Sequence, residues 1–564
     1  MAITKATGPV LGNYPVGTGN VALGDTALDS TASDGINNTA IGNAALTANT
    51  TGDNHVAVGY NALTANTTGR NNVAIGYTSM AANTEGTGNT AVGLSSLDVN
   101  TTGDNNVALG AGALGANTTA NNNTAVGASA LNANTTGGNN VAVGIQALDA
   151  NTTGDENIGI GSNALGANTT ADNNVGIGGG ALATNTTGTS NVAIGRSSLN
   201  TNSTGAENTA VGHESLKANT TGQQNVAIGR LALLVNTTGN FNVGMGSAAL
   251  DANTTGSYNI GIGAGALSGN TTASANTAVG HNALIANTTG SSQTAVGFGA
   301  LDSNTTGSNN TAMGRGALEA NTTADYNTAF GYLALDAATT GGSNTAVGTN
   351  ALTDVTTATQ NTAVGDNAGA DITTGVRNTC IGVNSGEYGG NVLTTGAGNT
   401  LIGYGAIPSA VGNTSSIVIA GQSASAATTG KGSNTGFISP NGGAVYQGNN
   451  STTWSQTSDE RIKKNIIDNN VGLEKIKNIQ VRNFEYKLPE EIADGLTKSD
   501  AIDKQGIQLG VIAQEIETIL PDMVTTESTG VMTVDADNMT WYLVNAVQEL
   551  SAKVEELENK LKEK

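Results

Sequence analysis

The residues of this chain whose types and spacing could do chemistry are Ser458 and Lys463, five positions apart in the segment Ser-Asp-Glu-Arg-Ile-Lys-Lys-Asn. A serine hydroxyl becomes a nucleophile when a neighbouring base takes its proton, and a lysine can be that base only while it is uncharged. This requires a lysine pKa far below the usual value of about 10.4, which burial or a nearby cation such as Arg461 or Lys464 would produce. The pair is therefore a candidate for attack on a carbonyl group.

Ser458 also has an ordinary structural interpretation as the residue that caps a helix. Asp459 and Glu460 would then lie in the first helical turn, where the helix dipole favours acidic side chains. We therefore predict that a helix begins within residues 461–469. Five residues of an ideal helix turn through about 500°, which leaves Ser458 and Lys463 about 140° apart around the axis. A nucleophile at the cap with its base on the next turn is compatible with both interpretations.

Two motifs in this region resemble a known family. Residues 458–466 resemble the opening of the self-cleaving intramolecular chaperone domain at the C-terminus of phage tail fibres and endosialidase tailspikes, and residues 509–515 with Leu520-Pro521 resemble its second signature. The resemblance covers residues 458–564. It implies a Ser/Lys dyad in which Ser458 is the nucleophile, Lys463 is the general base, and the bond between Thr457 and Ser458 is cut. This would be a single-turnover serine autopeptidase with no activity on external substrates.

The composition excludes several classes of protein. Only 3% of the 564 residues are aromatic and 11% are charged, unlike an ordinary globular protein, and 79 Gly with 6 Pro do not fit collagen. The net charge is −22 with no basic stripe, so we expect no nucleic-acid partner. The single cysteine, Cys380, forms no intrachain disulfide framework. No residue pattern predicts a cofactor or a metal site. The sequence shows no signal peptide and no apolar run of about 20 residues, so we expect no membrane insertion.

A glycine-marked repeat occupies most of the chain. A Gly recurs with a 17-residue period from Gly42 to Gly382, and Gly24 and Gly403 extend the series to 23 units. Before each marker glycine, Thr or Val, then Ala or Gly, then Val or Ile predicts a short strand. Ala-Leu after the glycine predicts a second apolar wall. Asn-Thr-Thr-Gly predicts a turn in which Asn and Gly adopt left-handed dihedral angles. Together these features predict a parallel β-solenoid with one unit per coil.

The fourth residue before the marker glycine is Asn in 21 of the 23 units, with His55 and Gln293 as the exceptions. We expect these side chains to stack along the shaft and fix its register. Rows of Thr leave open the alternative of a surface that binds ice or glycans. One coil buries few and small apolar side chains, so we expect three shafts to pack around an axis through their Ala/Gly faces. The repeats resemble those of trimeric adhesin heads, although the period here is longer.

The fold class is thus predicted as mainly β: a trimeric parallel β-solenoid followed by a small α+β chaperone domain and a coiled coil. The predicted parts are an N-terminal lead-in (1–19), a shaft (20–403), a neck (404–457), the self-cleaving chaperone domain (458–540) and the coiled coil (541–564). The coiled coil is predicted from the heptad spacing of Leu543, Val547, Leu550, Val554, Leu557 and Leu561.

These features predict a structural tail fibre or host-attachment protein of a phage. Its partners would be two further copies of the chain, other virion tail or baseplate proteins at the N-terminus, and a host cell-surface receptor or glycan. The fibre would assemble in the host cytoplasm and reside in the virion tail. The alternatives are a bacterial trimeric surface adhesin and an ice-binding or glycan-binding β-solenoid.

Overall fold

The structure, a computed structural model, describes residues 18–30, 34–389, 392–420, 427–439, 445–448, 454–456, 463–492, 502, 504–526 and 530–564. The chain divides into two compact units, Met1–Thr457 and Ser458–Lys564. Each unit is considered by itself below.

The first unit is a parallel β-solenoid with one three-residue strand per coil, which confirms the predicted architecture. Each strand pairs in register with the strand of the next coil, as Val175 does with Val192 at the same position of the following repeat. In the described residues this regular series comprises 23 strands: β1 Val21–Leu23, β2 Thr39–Ile41, β3 Val56–Val58, β4 Val73–Ile75, β5 Thr90–Val92, β6 Val107–Leu109, β7 Thr124–Val126, β8 Val141–Val143, β9 Ile158–Ile160, β10 Val175–Ile177, β11 Val192–Ile194, β12 Thr209–Val211, β13 Val226–Ile228, β14 Val243–Met245, β15 Ile260–Ile262, β16 Thr277–Val279, β17 Thr294–Val296, β18 Thr311–Met313, β19 Thr328–Phe330, β20 Thr345–Val347, β21 Thr362–Val364, β22 Thr379–Ile381 and β23 Thr400–Ile402.

The solenoid continues past Gly403, where the sequence placed the start of a neck. Thr400 in β23 lies opposite Ile417, which keeps the spacing of the regular coils, and the next pairing is also parallel. The glycine period misses this coil because Ala420 follows Ile419 where a marker glycine would stand. Only the last two pairings of the sheet are antiparallel among the described residues. The strands after β23 are β24 Ala406–Ile407, β25 Ile417–Ala420, β26 Thr428–Thr429, β27 Gly436–Ser439, β28 Val445–Gln447 and β29 Trp454–Gln456.

The middle residue of each strand, which is Ala or Gly in β1–β21, faces the interior of the coil. Ala142, Ala147 and Leu148 of one coil are completely buried. A β-carbon added to Gly159, the middle residue of the next strand, would lie 3.1 Å from the Leu148 Cγ atom, so the leucine leaves room only for Ala or Gly. The expectation that the Ala/Gly row faces a trimer axis is therefore wrong. The first and third residues of the strand point outward instead.

The Ala-Leu segment is a second buried apolar wall, as predicted, and it adopts a turn conformation. Gln146 and Leu148 have φ angles of +57° and +54°, a left-handed conformation that is uncommon for leucine. Hydrogen bonds to both neighbouring coils hold this turn: the Gln146 N–H donates to the Ala128 carbonyl and the Leu148 N–H to the Ala164 carbonyl. Because every second residue here has a left-handed φ angle, the chain reverses its direction within a few positions. The alternation of residue types that indicates a strand does not reveal such a reversal.

The Asn-Thr-Thr-Gly segment supplies a buried amide ladder, and neither its Asn nor its Gly is left-handed, contrary to prediction. Asn151 Nδ2 donates to Asn134 Oδ1 at 2.9 Å and to the Gly154 carbonyl of its own coil at 3.0 Å. The same link repeats at every coil from Asn49 to Asn321. The hydroxyl of the first threonine donates to the next coil, so this row stabilises the shaft and has no free donor for ice or a glycan.

The amide ladder ends inside the shaft. Asn321 Oδ1 is buried and has no hydrogen-bond partner in the described part of the chain. In the following coils the same position is filled by apolar residues, which are completely buried: Ala338, Val355, Ile372 and Leu393. These later coils therefore lack the ladder, although the column four residues before the marker glycine stays polar and buried in them at Asn344, Asn361, Asn378 and Asn399.

Removing one amide from the middle of the ladder should destabilise the shaft. Asn185→Ala leaves Asn168 Oδ1 and one N–H of Asn202 without partners, because Asn185 links those two residues. Each unsatisfied buried group costs about 1–3 kcal/mol, so we expect a loss of roughly 2–4 kcal/mol. Asn321→Ala is the matched control, since it only moves the existing end of the ladder by one coil. Thermal unfolding should show a clearly larger drop for Asn185→Ala; equal drops would contradict this role of the ladder.

The predicted column four residues before the marker glycine is also buried, which confirms its stacking. Its side-chain oxygens accept mainly from backbone N–H groups of the next coil. His55 reproduces this pattern: its Nδ1 accepts from the Asn72 N–H at 3.2 Å, and its Nε2 lies 2.8 Å from the Gly69 carbonyl, to which it donates. Burial lowers the pKa of His55 from 6.5 to about 4, so the folded shaft holds the neutral ring.

His55 should make its coil sensitive to acid. Because the His55 pKa is lowered in the folded state, the free energy of unfolding is highest above about pH 6.5. It falls as the pH drops towards 4, by roughly 3 kcal/mol in total, because the unfolded chain takes up a proton there and the folded chain does not. His55→Asn restores the usual residue of this column and should remove that loss. Hydrogen exchange of amides in 39–75 at pH 4.5 and pH 7.5 tests this. The variant should be better protected than the wild type only at the lower pH; the same difference at both values would contradict the assignment.

The second unit is a small α+β domain, as predicted. Its helices and strands are α1 Leu473–Ile476, β30 Arg482–Phe484, β31 Gln508–Gly510, α2 Ala513–Ile519, the 3-10 helix Pro521–Met523, β32 Val524–Thr526, β33 Met532–Val534 and α3 Ala536–Lys562. The pairs β30–β31 and β32–β33 are antiparallel. Ile516, Leu520, Met523 and Tyr542 form the buried core and join α2 to α3.

Candidate functional site: the processing junction and the C-terminal helix

The predicted cleavage residues Thr457 and Ser458 lie outside the described residues. Lys463 is described and is exposed in the single chain. Residues 463–469 are not helical, so the predicted helix start is wrong for the described part of that stretch, and the first helix begins at Leu473. Asn465 has a φ angle of +56°, which is incompatible with a continuous right-handed helix. Among the predicted catalytic residues, the structure thus describes only Lys463.

The segment that follows Lys463 is attached to the C-terminal helix. Asn545 Nδ2 donates to the carbonyls of Asn469 and Val471, at 2.6 and 3.2 Å. A β-carbon on Gly472 would lie 2.4 Å from the backbone nitrogen of Ala546, so glycine is required for this close approach. No sequence pattern indicates these residues, because a lone Gly and a distant Asn form no motif. They show that α3 positions the chain a few residues beyond the proposed base.

Polar side chains surround a cavity of about 240 Å³ beside this attachment. The Tyr542 hydroxyl donates to Asp522 at 2.5 Å. This hydrogen bond, together with burial, raises the pKa of Tyr542 above its usual value of 10. The interaction fixes the 3-10 helix after α2 against α3. The cavity is lined by Asn469, Asp522, Asn538, Trp541, Tyr542 and Asn545.

The second signature motif forms β31 and the start of α2. Its helix ends at Ile519, before Pro521, which has no backbone N–H to continue the helical hydrogen bonds. Ile516 places this helix in the domain core, while Glu515 accepts from Arg482 of β30 at 2.8 Å on the exposed side. The motif therefore has a structural role, since it connects the β30–β31 strand pair to the buried core of the domain.

The C-terminal helix has two apolar faces. Tyr542 and Ala546 are buried against the domain. The predicted heptad residues lie on a separate face and are 46–80% exposed in the single chain: Leu543, Val547, Leu550, Val554, Leu557 and Leu561. A helix that only packed on its own domain would not need this second face.

Two other kinds of site do not occur in the described residues. In the described ranges, no cluster of three or more His, Cys, Asp or Glu side chains is arranged to hold a metal ion. Within the same ranges, none of the helices combines the length and hydrophobicity needed to cross a membrane.

Comparison with known proteins identifies a family for the C-terminal part. Residues 458–525 match the family model described as chaperone of endosialidase. The match begins at Ser458, which is also the first residue of the second compact unit. No curated protein and no solved structure matches the chain. The chain thus combines a long β-solenoid of 17-residue repeats with a C-terminal domain of the endosialidase-chaperone type, an arrangement that fits a tail-fibre-type protein.

Proposed function

We propose that this protein is a phage tail fibre whose C-terminal domain trimerises and folds the shaft and then cuts itself off between Thr457 and Ser458. The observation that carries the proposal is the chaperone match, which begins at Ser458 and follows a long shaft of nearly identical coils in the sequence. The fibre would dock to other virion tail or baseplate proteins through its N-terminus and meet a host receptor or glycan.

The regularity of the shaft explains why a chaperone is needed. Strands pair with the same register at coil after coil, as Val175 with Val192 and Val192 with Thr209. A slip of one coil between chains would therefore preserve nearly every contact. Within the buried polar columns, His55, Gln293 and the end of the ladder at Asn321 mark particular coils. A domain that aligns three chains before the shaft forms would remove these misregistered states.

The proposed cleavage needs only groups of this chain and water. The Ser458 hydroxyl oxygen attacks the Thr457 carbonyl while Lys463 takes the hydroxyl proton, and the peptide C–N bond breaks as the Ser458 nitrogen is protonated. The resulting ester is hydrolysed by water, giving a Thr457 carboxylate and a free Ser458. Lys463 is exposed in the single chain, so the proposal requires the assembled protein to bring it to the Ser458 hydroxyl and shield it from solvent. Folding would then precede cleavage.

Light scattering of the full-length Ser458→Ala protein tests the assembly. The variant retains the chaperone and lacks the nucleophile, so we expect a homotrimer of uncut chains. The exposed heptad face of α3 gives such a trimer a parallel coiled coil. A monomer of folded, uncut chain would contradict the proposed function.

A further inference from the structure

The outward face of strands β1–β23 forms an unusual surface, here called the strand face. It consists of the first and third residues of each strand. In all 23 strands the first residue is Val, Ile or Thr, and the third is Val, Ile, Leu, Met or Phe. No charged residue occurs in either row of these described strands. The Asp, Glu, Lys and Arg residues of the coils all lie at other positions of the repeat.

The strand face is open to solvent in the single chain. Ile160, Met245 and Phe330, which all occupy the third position, are 37–38% exposed. Their nearly equal exposure reflects the parallel in-register ladder, which places the same position of each coil directly above the last. The result is an apolar stripe along all the coils, much longer than the patches that soluble monomers usually expose.

The neighbouring exposed row differs from the strand face. The residue directly after the marker glycine includes Ile145, which is 59% exposed, but also Arg196, His213 and Arg230. An apolar residue in that row therefore has charged or polar neighbours in nearby coils. The strand face differs because its third-position row is apolar in every strand and neither of its rows carries a charge, whereas greater exposure alone does not distinguish it.

A partner that covers this stripe must repeat with the same spacing, about 4.8 Å per coil. A second copy of this chain satisfies that condition over the whole length of the shaft, provided that it lies parallel and in register. The exposed heptad face of α3 independently indicates parallel association of copies. The outward Val and Ile side chains, and not the buried Ala row, are therefore the groups available to another shaft.

We propose that the strand face is the surface through which copies of this chain contact one another, so that three strand faces enclose an apolar core around the fibre axis. This inference rests on the proposed trimer and names its contact surface. It also places the charged positions of the repeat on the outside of the fibre.

Thiol labelling in the full-length Ser458→Ala background tests the inference with a matched pair of variants. Ile160→Cys lies on the strand face and Ile145→Cys lies in the neighbouring row. The native Cys380 is completely buried, and burial raises the pKa of its thiol to about 12, so it should not react. In the trimer we expect a maleimide reagent to label Ile145→Cys at least tenfold faster than Ile160→Cys. Equal labelling in a confirmed trimer would overturn the inference and leave the trimer itself intact.

Charged substitutions give a second measurement that does not depend on thiol reactivity. Ile160→Lys would place three ammonium groups in the apolar core and should abolish an ordered trimeric shaft. Ile145→Lys changes the more exposed isoleucine and should leave the trimer unchanged. Disruption by Ile145→Lys but not by Ile160→Lys would assign the contact to another surface. If the uncut parent protein is a monomer, the proposed function fails, and labelling of both cysteines would then follow from their exposure in the single chain.

Discussion

Deleting residues 458–564 before synthesis is expected to yield aggregated or misregistered shafts. The truncated chain would keep every coil of the solenoid but lose the domain and the helix that align the copies. Its strand pairs are nearly interchangeable between coils, so misaligned associations would compete with the correct one. Sedimentation and electron microscopy of the truncated product would show whether uniform fibres form.

The matched control is the same shaft released after folding. Protein expressed at full length and allowed to cut itself should retain soluble, ordered shafts, because alignment precedes removal of the domain. The coils from Ala338 to Leu393, which lack the amide ladder, lie towards the chaperone end of the shaft in sequence, and we expect ordering to begin at that end and spread towards the N-terminus. Uniform trimers from the truncated gene would show that the C-terminal domain is dispensable.

Replacing Lys463 by Ala is expected to slow self-cleavage by roughly 10²–10⁴-fold, the usual contribution of a general base. Ser458→Ala should abolish the cut, because no hydroxyl remains to attack the Thr457 carbonyl. Both variants should still trimerise, since each removes only a reacting group and leaves the core residues Ile516, Leu520, Met523 and Tyr542 unchanged. Gel electrophoresis after refolding would follow the loss of the full-length chain.

Lys464→Ala is the control for this pair. It removes a neighbouring cation of the same type and leaves the proposed base in place, so the cut should remain at the same bond. Cleavage that depends on Lys464 and not on Lys463 would contradict the dyad. Cleavage that persists in Ser458→Ala would assign the nucleophile to another residue.

The 17-residue period was sufficient to predict the solenoid, because in-register stacking requires each position to meet its equivalent in the next coil. It also located the buried column that contains His55. Alternation of small and large residues did not reveal which side faces inward. The narrow coil already holds a leucine such as Leu148, so Ala fills the interior and the larger residues point outward.

The remaining errors have local causes. Asn and Gly are common in turns, so the ladder position of Asn151 was mistaken for a left-handed turn residue. One coil was not predicted, because Ala420 occupies the position where its marker glycine would stand. In the second unit, the heptads predicted the long helix α3. The attachment of Gly472 to Ala546 could not be predicted, because it depends on tertiary packing between distant segments.

The most direct test of the account is the mass of the wild-type chain after folding. Intact-protein mass spectrometry should give two products, Met1–Thr457 and Ser458–Lys564, which coincide with the two compact units. Ser458→Ala measured in parallel should give a single chain of 564 residues. A wild-type chain that stays whole in a folded trimer, or a cut at any bond other than Thr457–Ser458, would contradict the account.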